Sequence, residues 1–168
     1  MKKILGGVVM AAALVAVANR AEAQSSASGN INATATVTGA LTATPVAALD
    51  FGFVVPGTPK AVATSDATAG VMQFNGTAGA QVNVTFTSLP ANLSDGTNDL
   101  SIGSYTAATA ATQAGAQTSF APAGGTLVNL SGAGEIFVFV GATVSPLAAQ
   151  PAGAYSGTIT VQAAYTGN

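Results

Sequence analysis

The chain of 168 residues contains no cysteine, no histidine and no tryptophan, and only four Lys and Arg stand against six Asp and Glu. Each shortage removes a class of function. Without cysteine there is no disulfide framework, no thiolate nucleophile and no sulfur metal ligand. Without histidine the usual general base is missing, and with it the hydrolase triad. So few cations cannot neutralise a run of phosphates, so nucleic acid is not expected as a partner, and an anionic lipid surface is disfavoured for the same reason. Paired-carboxylate catalysis needs two acids across a cleft. Asp50, Asp66 and Glu135 lie far apart in the chain, and Asp95 and Asp99 share one turn. The run Asp95-Gly96-Thr97-Asn98-Asp99 lacks the spacing and terminal Glu of a calcium loop and reads as an Asx-type turn. The expectation is a non-enzyme with no catalytic, cofactor-binding or metal-binding residue.

What is present begins with a targeting pattern. Lys2 and Lys3 precede an apolar run from Ile4 to Ala18, and Ala21-Glu22-Ala23 fits a signal-peptidase site. The apolar run is too short to span a bilayer comfortably, and no second one follows, so no integral membrane insertion is expected; the competing reading is an uncleaved membrane anchor. The expected organisation is a Sec signal peptide at 1–23, a flexible leader at 24–30 rich in Ser, Ala and Gly, and one domain over 31–168. Processing would leave Lys60 as the only cation against five acids.

The remainder alternates with a period of two, which marks half-buried strands. Ile31, Ala33, Ala35, Val37, Gly39, Leu41 and Ala43 share one face of a long first strand, opposite a row of Asn and Thr; Pro45 interrupts it, and Leu49 to Val55 follows as a further strand that ends at the Pro56-Gly57 turn signal. Val71-Met72-Gln73-Phe74 ends at Asn75-Gly76, a favoured hairpin pair. Val82, Val84 and Phe86 alternate with Gln81, Asn83 and Thr85. Between Glu135 and Val144 both rows are apolar, Ile136, Val138 and Val140 against Phe137 and Phe139, which predicts a strand covered on both faces. Thr106 to Ala123 is poor in large side chains and reads as a long loop or an edge hairpin. The closing run Gly153–Tyr165 places Tyr155, Ile159, Val161, Ala163 and Tyr165 on one face, and is expected in the middle of a sheet. Large apolar side chains are sparse, which predicts a thin core. Sequons at Asn32, Asn75, Asn83, Asn92 and Asn129 are of the kind an Asn- and Thr-rich chain produces by chance.

These features predict an all-β protein, an Ig-like Greek-key β-sandwich of about eight or nine strands. Its first segment has two readings. It is the first strand of its own sandwich, or part of Gln24 to Val37 leaves the subunit and fills a groove in a neighbour by strand addition. Such a contact repeated head to tail makes a fibre.

Leu49-Asp50-Phe51-Gly52 and the closing Pro151-Ala152-Gly153-Ala154-Tyr155-Ser156-Gly157-Thr158-Ile159-Thr160-Val161, behind a signal peptide and an Ala/Thr-alternating start, resemble a secreted bacterial family designated domain of unknown function 4402. That family is similar to the spore coat protein U domain and to chaperone–usher fimbrial pilins. The resemblance implies a pilin-like sandwich assembled by donor-strand exchange, with an assembly chaperone and usher as partners. It makes Tyr155 and Tyr165, with Gly153, the positions matching the chaperone-recognised final strand of pilins. The cysteine pair common in fimbrial pilins is absent here.

The reading that follows is an exported structural subunit of a pilus, coat or surface layer, partnering itself or a related surface subunit. It would pass through the periplasm to the cell surface or the medium. Its donor strand would carry Ile31, Ala33, Ala35 and Val37. The acceptor groove or assembly surface would be drawn from Ile136, Phe137, Val138, Phe139, Val140, Tyr155, Ile159, Val161 and Tyr165. The alternative is a self-complete monomeric sandwich acting as an adhesin or carbohydrate-binding module through the Thr106–Gly125 stretch. A small outer-membrane barrel is disfavoured, because the outward rows are Thr, Asn and Gln.

Overall fold

A computed structural model describes residues 28, 30–35, 37 and 39–167. The expected signal peptide, and all of the expected leader except Ser28 and Asn30, lie outside the described residues. The chain divides at Ala35/Thr36 into two units, and the strands all belong to the second.

The fold is all-β, with no helix among the described residues. Ten strands form two antiparallel sheets: β1 (Thr42–Ala47), β2 (Lys60–Val62), β3 (Gly70–Asn75), β4 (Gln81–Ser88), β5 (Asn92–Ser94), β6 (Asp99–Ala110), β7 (Thr118–Phe120), β8 (Thr126–Asn129), β9 (Glu135–Ser145) and β10 (Thr160–Tyr165). The larger sheet runs β1-β3-β9-β6-β5, with β7 paired to β6 and β2 paired to β9. The smaller sheet holds only β10-β4-β8.

The centre of the larger sheet is β9, as its two apolar rows require. Ile136 and Val138 face the small sheet and pack with Phe74, Val82, Val84 and Leu130. Phe137 and Phe139 stand on the opposite face, in a cluster with Val71, Ala108 and Ala110. One edge of β9 carries β6. The other carries β3 along Glu135–Val140 and then β2 along Ala142–Val144. Residues 63–69 are thus an insertion in one interrupted edge. Asp66 closes this turn, its carboxylate accepting the Ala63 N–H at 2.8 Å. Gly141 lies beneath it, and a Cβ there would run into Val62 O and come within 2.6 Å of Thr106 Oγ1.

Four expectations change. The long first strand does not begin at Ile31: regular pairing starts at Thr42, and the described residues of 28–41 lie in no strand. A row in which Ala33, Ala35 and Gly39 separate the few larger side chains offers little apolar burial to offset the cost of ordering the chain. Pro45 does not end that strand but sits within it, beside a bulge at Pro45/Ala47 on an outer edge, where a missing N–H is tolerated. Leu49 to Val55 forms no strand. The closing strand is short and at an edge, because Ser156 is drawn across to β5. Ser94 and Ser156 exchange backbone hydrogen bonds of 2.8 and 2.9 Å. Gly153 and Gly157 permit this crossing, since a Cβ at either would press on Asp95 or Leu93 at under 3 Å. The Thr106–Ala123 stretch resolves as the edge hairpin of β6 and β7.

Candidate functional site

The two sheets differ in width, and the difference leaves one side of the sandwich open. β1 is an outer strand of the large sheet, and β10 is an outer strand of the small one. Ala43 and Pro45 stand directly across from Phe74 and Met72, on the row that faces the small sheet. Both are nevertheless exposed. Among the described residues no strand of the small sheet lies opposite them, because that sheet ends at β10.

A groove of about 870 Å³ occupies this side. Its floor is the inward row of the large sheet: Met72, Val140, Val144, Leu100 and Ile102. Leu49, Phe51 and Val54 pack on the floor from the segment after β1, and Tyr155 packs from the segment before β10. Ile159 and Val161 complete the second wall. At one end the groove is shut, where Leu41 and Tyr165 converge over Gly76 and the Tyr165 hydroxyl accepts the Thr77 N–H at 2.7 Å. At the other end it opens past Phe53, Pro56 and Pro146.

Polar side chains pin the walls. The Tyr155 hydroxyl donates to Pro151 O at 2.9 Å and accepts from Gln150 Nε2 at 2.9 Å. Gln150 also donates to Asp99 O at 3.0 Å. On the other wall Asp50 Oδ1 accepts the Gly52 N–H at 2.7 Å, and Lys60 Nζ donates to Phe53 O at 3.0 Å. The 95–98 turn beside Gly153 is an Asx turn. Asp95 accepts from the Asn98 side chain and from the Asn98 and Thr97 backbone, and these bonds hold its carboxyl below the ordinary 3.8. Burial pushes the Tyr105 hydroxyl up, while it donates to Pro90 O at 2.6 Å. Among the described residues no group of carboxylates could hold a metal ion.

The chain matches no family model, no curated protein and no solved structure.

The residues singled out in the sequence fall into four places. Val140, Tyr155, Ile159 and Val161 line the groove. Ile136 and Val138 lie in the closed core, and Tyr165 packs against that core at the shut end of the groove. Phe137 and Phe139 face away from it, on the other side of the large sheet. Ile31, Ala33, Ala35 and Val37 lie outside any strand, with Ile31 96% and Val37 91% exposed. The wall residues Leu49, Phe51 and Val54 do not belong to the groove expected from the sequence. Their signal was the alternation Leu49, Phe51, Phe53 ahead of Pro56-Gly57, which reads equally well as a strand.

Proposed function

We propose that this protein is an exported structural subunit that receives an extended strand from a neighbour in the groove between β1 and β10, and lends its own Ile31–Val37 segment to the next copy. The observation that carries this is the exposure of Ala43 and Pro45 on the core-facing row, beside the free edge of β10. A strand laid there would extend the small sheet by main-chain hydrogen bonds to β10 and pack alternate side chains against the exposed or half-buried Pro45, Met72, Ile159 and Val161. Ile31, Ala33, Ala35 and Val37 fall on one face of such a strand and span about 20 Å at roughly 3.3 Å per residue. That length suits the stretch from Val140 in β9 to Pro146 just beyond its end.

The polarity follows from the shut end. The donor continues into its own β1, so it must leave its host by the open end, near Phe53. It then lies parallel to β1 and antiparallel to β10, the pairing that is slightly more stable per residue. An empty groove is an aggregation-prone edge. An assembly chaperone in the periplasm that covers it before polymerisation fits this reading, as does the pilin-like, Ig-like character implied by the family resemblance. The same reading makes the protein a non-enzyme at the cell surface.

Electron microscopy of the producing cell's surface and shed fraction, paired with gels run with and without boiling, tests it. Fibres and an SDS-resistant ladder that collapses on heating are expected. A lone band near the mass of the processed chain, with no fibres, would overturn it in favour of a self-complete binding module.

A further inference from the structure

We infer that the apolar open end of the sandwich, formed by Phe53, Val55 and Leu147, is a docking surface for the opposite end of a second copy of this chain; the inference rests on strand exchange as proposed. Phe53 is 99% exposed, Val55 65% and Leu147 70%. Their two loops are joined by a hydrogen bond from the Gly57 N–H to Leu147 O at 3.0 Å. Single exposed apolar residues are ordinary, but three from two joined loops at the mouth of an apolar groove form a patch.

Chain length identifies what covers that patch. A copy's leader enters its sandwich at the end holding the 77–80 and 131–134 turns. There the Gly39 N–H donates to Thr77 Oγ1 at 2.7 Å. If Val37 fills the last position in a neighbour's groove, only Thr38 separates it from this tether. Two peptide steps reach at most about 7 Å. The turns of the donating copy are therefore held against the rim of the receiving groove, where Phe53 and Leu147 project. What they present there is small and uncharged: Ala78, Gly79, Gly132 and Ala133 are all exposed. A phenyl ring can lie flat on such a surface without burying a charge. A lipid surface is the poorer occupant, because Lys60 is the only cation among the described residues and the chain is acidic.

Cysteine cross-linking tests this directly, because the chain has no cysteine of its own. The processed chain carrying Leu147→Cys and Ala133→Cys is assembled and mildly oxidised. Both positions lie just beyond the two ends of β9, roughly 35 Å apart by strand rise, so only an intermolecular disulfide can form. The expected result is a ladder that survives boiling and collapses with reductant, in a yield at least about tenfold above a Gln113→Cys, Ala133→Cys control. A heat-labile ladder with no reductant-sensitive one would mean that strands exchange but these ends do not meet; the docking surface falls and the assembly reading stands. Absence of both ladders overturns both. Monomers that float with zwitterionic vesicles, and lose this on Phe53→Ser, would overturn the inference in favour of a membrane contact.

Discussion

Val37→Asp separates assembly from folding. Val37 is 91% exposed and lies in no strand, so the substitution removes no packing from the free subunit. Its effect on monomer stability should stay within about 0.5 kcal/mol, the usual range for surface positions. In the groove the same side chain would pass from almost full exposure to burial, a gain of about 1.5–3 kcal/mol for a residue of its type. Aspartate forfeits that gain and must also be desolvated against Met72, Ile159 and Val161, or take up a proton. The first effect alone weakens the contact by about 10- to 150-fold at 1.4 kcal/mol per decade, and the second takes it further. The assay is the unboiled gel ladder of the processed chain, with urea unfolding of the monomer as control. The mutant should run as a monomer whose unfolding midpoint is unchanged. A normal ladder would refute the donor assignment. A lost ladder with a lowered midpoint would refute the claim that Val37 is idle in the free subunit.

Gly134 has φ of +80°, and a Cβ there would run into Gly76 O. Gly134→Ala should cost about 2–4 kcal/mol, combining left-handed strain with a clash that the tight turn cannot relieve; urea denaturation measures it, and a loss under 1 kcal/mol would contradict the geometry. The Asx turn at Asp95 gives a pH dependence. Its folded carboxyl is depressed below 3.8, so its contribution is complete above that value and is lost as pH falls through the lower folded value. Thermal unfolding of wild type and Asp95→Asn from pH 7 to pH 2 should show a gap that narrows below about pH 4, and a constant gap would refute the assignment.

The parts of the fold legible in the sequence are those where burial and period agree. β4 was readable because Val82, Val84 and Phe86 alternate cleanly with Gln81, Asn83 and Thr85. β9 was readable as the doubly covered strand because its apolar residues fill both rows. Alternation without bulk misled: Ile31 to Leu41 has the period of a strand but few side chains large enough to hold one in place. Tyr155 and Val161 share a row in sequence, yet a bridge to Ser94 breaks the segment between them. That bridge is a tertiary event, and only the close-approach glycines Gly153 and Gly157 hinted at it. The groove itself was not legible. It arises from unequal sheet widths, and no local pattern records that β10 is the last strand of its sheet. The same blindness placed Phe137 and Phe139 with Val140, although their rows point to opposite faces.

The position of β9 sets the order in which the molecule can be made. Its partners β2, β3 and β6 all precede it, by roughly 35 to 80 residues of sequence, and none of them can complete the large sheet alone. As the chain emerges, the part up to about residue 130 would therefore wait with its sheet incomplete, until a single late strand joins three early ones. Pairings of such separation close slowly, and the waiting chain exposes strand edges that favour promiscuous contacts. The interval between emergence and closure, rather than the final stability, is where this protein is most vulnerable.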